Sequence, residues 1–217
     1  MNRDSGAEVS VASHWDAVYR TKAAEAMSWH ATRLETSLEW IERAAPDRAA
    51  ALLDVGGGVA SLAGDLLAQG YENLTVLDLA PAAVERAQAE LRIRMGDAAD
   101  RVRWILGDVL TLELPAAAYD LWHDRAVFHF LTRPEERAAY VRQVERALQP
   151  GGRVVLATFG PEGPERCSGL PTCRYDAAGL AREFGAGFAL VRSAVVEHRT
   201  PWGAAQPFLY CAMERKR

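Results

Sequence analysis

Short apolar runs alternate along this chain with longer segments in which apolar residues recur at helical spacing. The short runs predict buried strands, and they cover residues 51–55, 74–77, 102–106, 119–122 and 153–158. The longer segments predict helices, and they cover residues 59–69, 81–95 and 134–148. Strands and helices that alternate in this way predict a doubly wound α/β fold, with a parallel sheet covered by helices on both faces.

The two ends of the chain depart from this alternation. Near the C-terminus, two β-rich runs at residues 188–197 and 207–213 are joined by a turn-rich segment at residues 200–203. A connection this short forces the two strands to be antiparallel, because a parallel return needs a crossover of about a dozen residues. Residues 15–44 predict two helices over the carboxyl edge of the sheet. We therefore expect a mostly parallel sheet with an antiparallel hairpin at its C-terminal edge.

The helix predicted over residues 134–148 has the clearest ends. Thr132 is its candidate N-cap, and Glu135 three residues later completes a capping box. The helix is expected to stop at the Gln-Pro-Gly-Gly turn of residues 149–152, because proline and glycine favour a chain reversal there.

Composition limits the classes of function. The chain has 217 residues, of which 49% are hydrophobic and 25% charged, and its formal net charge is −4. These values fit one ordinary globular domain, which we predict over residues 13–217, after a disordered tail over residues 1–12. The acidic balance argues against nucleic-acid binding, which depends on Lys and Arg neutralising phosphates. No apolar run reaches the ~20 residues that span a bilayer, so we expect no membrane partner.

The first residues and the cysteines indicate the compartment. Residues 1–11 are polar and acidic, unlike a secretory signal peptide. The cysteines Cys167, Cys173 and Cys211 are odd in number and have no CxxC spacing, so we expect reduced thiols and a cytoplasmic protein. We expect no metal site, and the sequence leaves the oligomeric state open.

Carboxylates follow successive predicted strands, at the edge where open α/β sheets bind ligands. Asp54 precedes Gly56, Gly57 and Gly58, which let the backbone turn sharply and approach a ligand. NAD(P)-binding folds also have a glycine loop, so an NAD(P)-dependent oxidoreductase is one alternative. A dinucleotide fingerprint, however, requires glycine or alanine where this chain has Ser61. Asp54 would also be unfavourable beside a pyrophosphate, and it suits a cationic ligand instead.

Two more carboxylates continue the series. Asp78 ends the second predicted strand, and Asp108 follows the third. A carboxylate about twenty residues past the glycine loop can accept hydrogen bonds from both ribose hydroxyls, and Asp108 is placed where an adenine amine could donate. Three carboxylates without a basic residue for a phosphate predict a ligand that has an ammonium group, a ribose and an adenine. S-adenosylmethionine fits that description.

These motifs resemble those of the class I S-adenosylmethionine-dependent methyltransferases. The matching elements are Asp-Val-Gly-Gly-Gly-Val-Ala at residues 54–60, Asp78, Gly-Asp at residues 107–108 and the turn at residues 149–152, and the likeness covers roughly residues 51–159. The resemblance implies a seven-stranded sheet with an antiparallel last strand and S-adenosylmethionine as cofactor. Ala60 stands where the family usually has a third glycine, and alanine is small enough to keep the binding site. The implied cofactor contacts are Asp54, Gly56, Gly58, Asp78, Asp108 and Val109, with Leu79 and His123 as further candidates.

The N-terminal segment carries a second resemblance. Its His-Trp-Asp at residues 14–16, Tyr19 and Ser-Trp-His at residues 28–30 are similar to motifs of small bacterial methyltransferases and some eukaryotic lysine methyltransferases. In those proteins the second aromatic residue covers the cofactor, which makes Trp29 a candidate cover. Plain core packing of Trp29 is the alternative.

Titratable residues crowd the end of the fourth predicted strand, where this fold presents catalytic groups. Asp124, Arg125 and His129 are the candidate catalytic residues. The Asp-Arg-Ala element at residues 124–126 resembles the corresponding region of small-thiol and thiopurine methyltransferases, which implies a thiol acceptor. Arg125 would favour the thiolate, and His129, with an ordinary pKa near 6.5, would accept the proton. In the alternative interpretation, Asp124 and Arg125 pair to fix the loop and His129 is buried.

The acceptor is the least defined part of this prediction. We predict methyl transfer to a small molecule, with a small thiol as the leading class. Protein-lysine methylation and a non-catalytic S-adenosylmethionine-binding module are the alternatives. The loop over residues 160–174 is expected to form one wall of the pocket, and Cys167 within it is a less favoured catalytic thiol. The sequence leaves open whether sulfur, oxygen or nitrogen is methylated, and whether a catalytic base is needed.

Overall fold

The computed structural model describes residues 10–217, which fold around a central sheet. The strands in chain order are β1 (Ala51–Val55), β2 (Asn73–Asp78), β3 (Val102–Leu106), β4 (Tyr119–Arg125), β5 (Leu148–Phe159), β6 (Arg166–Cys167), β7 (Leu170–Pro171), β8 (Phe188–Arg199) and β9 (Ala205–Arg215). The α-helices are α1 (Val11–Thr21), α2 (Glu35–Ala44), α3 (Leu62–Ala68), α4 (Pro81–Met95), α5 (Pro134–Ala147) and α6 (Ala177–Phe184). Short 3₁₀ helices cover Ala24–Ala26, Gly96–Arg101, Phe128–Phe130 and Gly185–Gly187.

Seven of the strands form one sheet in the order β3-β2-β1-β4-β5-β9-β8, while β6 and β7 form a separate small hairpin. The first five strands are parallel to one another, and β9 runs antiparallel between β5 and β8. The predicted seven-stranded, mostly parallel sheet with an antiparallel last strand is confirmed. The strand order reverses between β1 and β4, which is the kind of position where open α/β sheets bind ligands.

Helices cover both faces of the sheet, because side chains along a strand alternate between its faces. Leu52 belongs to the apolar cluster that includes Ile41 of α2. Its neighbour Leu53 belongs to the opposite cluster, which includes Tyr140 of α5 and Leu180 of α6. The central strands are therefore buried on both sides, which explains why they show as nearly continuous apolar runs in the sequence.

Some predicted boundaries shift in the structure. Helix α3 begins at Leu62 rather than residue 59, because the preceding residues form a turn in which the Ala60 N–H donates to the Gly57 carbonyl at 3.0 Å. Strand β5 begins at Leu148 rather than residue 153, because Leu148 already pairs with Tyr119 before an irregularity in the register. Helix α6 and the β6–β7 hairpin are too short to be predicted from periodicity.

The capping box of α5 lies one residue later than predicted, so the assignment to Thr132 and Glu135 is wrong. Pro134 occupies the first helical position, where its fixed φ is favourable and its missing N–H costs nothing. The N-cap is therefore Arg133, whose backbone N–H donates to Glu136 Oε2 at 3.2 Å.

Helix α1 is ordered by a cap at its first turn. The Ser13 N–H donates to Ser10 Oγ at 3.1 Å, which satisfies one of the free N–H groups at the start of a helix. Residues 1–9 of the predicted disordered tail lie outside the described residues, but Val11 and Ala12 already belong to α1.

The N-terminal region is attached to the sheet through α4. Asp16 Oδ1 accepts a hydrogen bond from the Ala82 N–H at 2.9 Å, and Arg86 Nη1 donates to the Lys22 carbonyl at 3.0 Å. These contacts hold α1 over the start of α4, beside the carboxyl end of β2. Among residues 10–217, no helix combines the length and the apolar character needed to cross a bilayer.

Candidate functional site

A pocket lies at the carboxyl ends of β1 and β4, where the strand order reverses. It encloses about 520 Å³ of empty space, which includes space open to solvent. Its walls come from the glycine loop after β1, from the segment between α1 and α2, and from the end of β4. Six predicted site residues line it together: Trp29, Asp54, Gly56, Gly58, His123 and Arg125.

The glycine loop takes a conformation that other residues rarely adopt. Gly56 and Gly58 have φ angles of 67° and 51°, in the left-handed region that favours glycine. A Cβ on Gly58 would lie 2.6 Å from the Tyr19 hydroxyl, and one on Gly56 would lie 2.1 Å from Val127 Cγ2. The glycines therefore let α1 and the β4 loop approach the backbone directly.

Asp78, at the end of β2, holds the glycine loop and the start of α4 together. Its Oδ2 accepts the Gly58 N–H and its Oδ1 accepts the Ala80 N–H, each at 2.9 Å. Burial raises the pKa of this carboxyl to about 6, although backbone N–H groups that donate to it act in the opposite direction. Each carboxylate oxygen has a second lone pair, which leaves Asp78 able to accept hydrogen bonds from a ligand.

Asp54 is the first member of a buried chain of hydrogen bonds. His123 Nδ1 donates to Asp54 Oδ1 at 2.6 Å, and His123 Nε2 lies 3.0 Å from Ser37 Oγ. Ser37 Oγ in turn lies 3.2 Å from the Tyr210 hydroxyl. The chain connects β1, β4, α2 and β9 and fixes the Asp54 carboxylate at the pocket wall. Sequence reasoning missed Ser37 and Tyr210, because neither belongs to a motif.

Three other predicted cofactor residues follow the neighbouring strands and, like Asp78, are not among the residues that line the pocket. Leu79 follows β2, while Asp108 and Val109 follow β3. The Leu110 N–H donates to Asp108 Oδ1 at 2.9 Å, and the Gly107 N–H donates to the Asp78 carbonyl at 3.0 Å. The ends of β2 and β3 thus form one continuous edge next to the Asp78 carboxylate.

A cluster of aromatic rings reaches the pocket through Trp29. The aromatic cover consists of Trp15, Trp29 and Phe130. The Trp15 ring lies 5.6 Å from Trp29 and 5.0 Å from Phe130, both in edge-to-face arrangements. Trp29 lines the pocket, and its carbonyl accepts a hydrogen bond from Arg125 Nη1 at 3.0 Å. This placement is compatible with the prediction that Trp29 covers the cofactor.

Asp124 is fully buried and does not line the pocket, so its predicted catalytic role finds no support here. It accepts hydrogen bonds from the Tyr140 hydroxyl at 2.5 Å, the Val127 N–H at 2.9 Å and the Phe128 N–H at 3.1 Å. Burial raises the pKa of its carboxyl to about 6. The carboxylate caps the turn after β4. Asp124 forms no ion pair with Arg125, contrary to the alternative interpretation.

His129 is also buried away from the pocket. Its Nδ1 accepts the Phe159 N–H at 3.2 Å, and its ring stacks on the Phe159 ring at 4.3 Å. Burial, with a smaller effect of the nearby Arg125 cation, lowers the pKa of this imidazole to about 3. A base that weak holds almost no proton at neutral pH, so the expectation of an ordinary pKa near 6.5 is wrong.

The loop over residues 160–174 carries the β6–β7 hairpin and contributes no residue to the lining of the pocket, so the prediction that it forms one wall is wrong. Cys167 lies on this hairpin with its Sγ 3.7 Å from Ser28 Oγ. Burial raises the pKa of the Cys167 thiol, which opposes formation of a nucleophilic thiolate. In residues 10–217, no group of three or more His, Cys, Asp or Glu side chains is placed to hold a metal ion.

Comparison with known proteins matches the region that carries these motifs. A family model described as a methyltransferase domain matches residues 53–154. Malonyl-[acyl-carrier protein] O-methyltransferase from Paenibacillus sp. (strain JDR-2) is 32% identical over 51% of this chain and 39% of that protein. The ubiquinone/menaquinone biosynthesis C-methyltransferase UbiE of Paracoccus denitrificans is 30% identical over 56% of this chain and 46% of that protein. The chain thus spans less than half the length of these relatives.

Solved structures share the fold over most of the chain. A protein that converts a disulfide bond into a thioacetal group during echinomycin biosynthesis has a TM-score of 0.76 at 20% identity, covering 95% of this chain and 93% of that chain. Burkholderia thailandensis 1,6-didemethyltoxoflavin-N1-methyltransferase has a TM-score of 0.68 at 24% identity, covering 95% and 85%. The [4+2]-cyclase SpnF has a TM-score of 0.68 at 19% identity, covering 88% and 86%. These likenesses concern the fold alone, since a cyclase shares it.

Replacing Asp124 with Ala is expected to destabilise the fold. The change leaves the Tyr140 hydroxyl and two backbone N–H groups without their buried acceptor, which should lower the free energy of unfolding by about 2–4 kcal/mol. Asp124→Asn, which keeps one acceptor oxygen, should lose less. Urea denaturation at neutral pH measures both, with Asp97→Ala as the matched control, because the Asp97 side chain is fully exposed. A loss below about 1 kcal/mol for Asp124→Ala would show that the carboxylate is not the cap described here.

Proposed function

Since the chain belongs to the class I S-adenosylmethionine-dependent methyltransferases, we propose that it transfers a methyl group from S-adenosylmethionine to a small-molecule acceptor. The observation that carries this proposal is the buried Asp78 carboxylate, which is held by two backbone N–H groups beside the glycine loop. A carboxylate in that position suits the ribose hydroxyls of an adenosyl group.

The residues of the pocket fit this cofactor better than a dinucleotide. Asp54 lines the pocket beside the glycine loop, where it favours an ammonium group and disfavours a pyrophosphate. Arg125 is the one Lys or Arg among the residues that line the pocket in the described part of the chain, and it lies at the end of β4 rather than on the glycine loop. A Cβ on Gly58 would push into Tyr19, so glycine at this position lets α1 pack directly on the loop.

Each part of the cofactor has a candidate partner. Asp78 would accept hydrogen bonds from the ribose, and Asp54 would favour the ammonium group. Leu79, Asp108 and Val109 would lie beside the adenine. When bound, S-adenosylmethionine supplies an electrophilic methyl group on a sulfonium sulfur.

Methyl transfer of this kind is an in-line displacement at carbon, so the protein acts mainly by alignment and by exclusion of water. The aromatic cover (Trp15, Trp29 and Phe130) would exclude water from the pocket. A catalytic base is not part of the proposal, because burial holds the His129 pKa at about 3 and its Nδ1 already accepts the Phe159 N–H. The first acceptors to test should therefore react through an atom that needs no proton removal by His129.

A small thiol that reacts as its thiolate meets that condition, and we propose it as the first acceptor class to test. The thiol proton would go to solvent before transfer, and the products would be a thioether and S-adenosylhomocysteine. The relatives named above include an O-methyltransferase and a C-methyltransferase, so phenols and acids belong in the same trial. A protein lysine is a poorer acceptor here, because its ammonium group would meet the Arg125 cation in the pocket.

Asp78→Asn should weaken cofactor binding and remove a pH dependence. Charge-assisted hydrogen bonds contribute about 1.5–3 kcal/mol each, so the affinity for S-adenosylhomocysteine should fall about 10- to 100-fold at pH 7.5. In the wild type, the carboxyl is protonated below its pKa of about 6, so affinity should drop about tenfold between pH 7.5 and pH 5. The variant should lack that drop. Calorimetry at both pH values measures this, with Asp97→Asn as the control.

An unchanged affinity in Asp78→Asn, with the fold intact by circular dichroism, would remove Asp78 from the cofactor site. Tighter binding of NAD than of S-adenosylhomocysteine by the wild type would contradict the proposed function itself.

Radiolabelled S-adenosylmethionine with a panel of small thiols, phenols, acids and amines should yield a methylated product. In the same assay His129→Asn should retain the wild-type maximal rate within about threefold, because Asn can still accept the Phe159 N–H and no base is lost. A general base would instead contribute about 10²–10⁴-fold.

The pH profile provides the decisive comparison for His129. A constant ratio of variant to wild-type rate across the pKa of the thiol agrees with a packing role. A deficit of a hundredfold or more that shrinks as the pH rises would restore the histidine as the base, provided that urea denaturation finds the variant folded.

A further inference from the structure

Arg125 ends β4 at the wall of the pocket, and two contacts fix its guanidinium group. Its Nη1 donates to the Trp29 carbonyl at 3.0 Å. The guanidinium carbon lies 4.7 Å from the centre of the Phe208 ring, which comes from β9. These contacts orient the planar group while using only one of its five N–H donors.

No carboxylate in residues 10–217 forms an ion pair with Arg125, and the remaining guanidinium N–H groups have no acceptor there. Arg137, by contrast, is paired with Glu183 at 2.9 Å. A permanent cation that keeps free N–H donors at the wall of a pocket can bind an anionic group of a ligand. The missing partner therefore points to a ligand.

The surroundings of Arg125 carry no compensating negative charge. His198 on β8 has a lowered pKa, mainly from burial and then from the Arg125 cation, and the pKa of His129 is lowered for the same two reasons. His30 also lines the pocket. Arg125 thus makes its side of the pocket electropositive, whereas Asp54 makes the glycine-loop side electronegative.

The cofactor has a carboxylate of its own, but the glycine loop offers it a separate place. The backbone N–H groups of Gly57 and Val59 have no acceptor within residues 10–217. These N–H groups lie on the loop beside Asp54. The N–H groups suit the carboxylate of the cofactor's amino-acid group, and Asp54 suits its ammonium group. Arg125, which contacts Phe208 of the β8–β9 hairpin, is therefore left to bind the second substrate, the methyl acceptor.

We propose that Arg125 binds a carboxylate of the methyl acceptor, which makes the acceptor a small organic acid. This inference rests on the proposed function and narrows its substrate class. A guanidinium fork matches a carboxylate through two parallel hydrogen bonds, a geometry that Lys cannot reproduce. The carboxylate holds the acceptor beside the aromatic cover, in the same pocket as the glycine loop.

Calorimetry with protein saturated with S-adenosylhomocysteine tests this with matched acids and neutral amides. The pairs are 3-mercaptopropionate with 3-mercaptopropionamide, malonate with malonamide, and benzoate with benzamide. The wild type should bind at least one acid about 10- to 100-fold more tightly than its amide. Arg125→Gln should lose that preference, and Arg125→Lys should keep only part of it. Arg142→Gln removes an exposed cation on α5 and should change nothing.

A second arm separates the two possible sources of the carboxylate. Without any acceptor, Arg125→Gln and Arg125→Lys should bind S-adenosylhomocysteine within about threefold of the wild type. A loss of tenfold or more would assign Arg125 to the carboxylate of the cofactor and overturn the proposal. Equal binding of every acid and its amide by the cofactor-loaded wild type would also overturn it while leaving the proposed function intact. A wild type that binds no S-adenosylhomocysteine would overturn both.

Discussion

The site depends on one buried carboxylate that accepts two backbone N–H groups from different elements. Asp78 joins the glycine loop, through Gly58, to the start of α4, through Ala80. The left-handed turns of the loop favour glycine, and the same turns let Tyr19 and α1 pack directly on its backbone. Burial raises the pKa of Asp78, so the fold bears an electrostatic cost at neutral pH to keep an anion there. Such a group, fixed before any ligand arrives, is what a binding site for ribose hydroxyls needs.

The alternation of side chains along β4 assigns different tasks to three consecutive residues. His123 reaches Ser37 of α2 on one face of the sheet, and Asp124 reaches Tyr140 of α5 on the other. Arg125, at the end of the strand, returns to the pocket and contacts Trp29. Neighbours in sequence therefore separate into a buried hydrogen-bond chain, a structural cap and a cation that faces the pocket. The same division leaves the pocket with an acidic side and a basic side, which suits two substrates of different charge.

The periodicity of apolar residues was sufficient to predict the sheet, its antiparallel last strand and most of the helices, because burial on both faces leaves a strong signal. The carboxylates at the strand ends could be predicted for a similar reason, since parallel strands bring their carboxyl ends to one edge. Contacts between distant segments gave no such signal. Ser37 meets His123, and Tyr210 meets Ser37, only in the folded chain. The depth at which His129 is buried, which removes its basicity, also depends on packing that no local pattern encodes.

A crystal structure of the protein with S-adenosylhomocysteine would test the central claim most directly. The account predicts ribose hydroxyls within hydrogen-bond distance of the Asp78 carboxylate, the adenine beside Asp108 and Val109, and the amino-acid group against the glycine loop with Trp29 over it. Asp78 should keep its bonds from Gly58 and Ala80 in that complex. A ligand bound elsewhere, or a ribose that makes no contact with Asp78, would contradict the account.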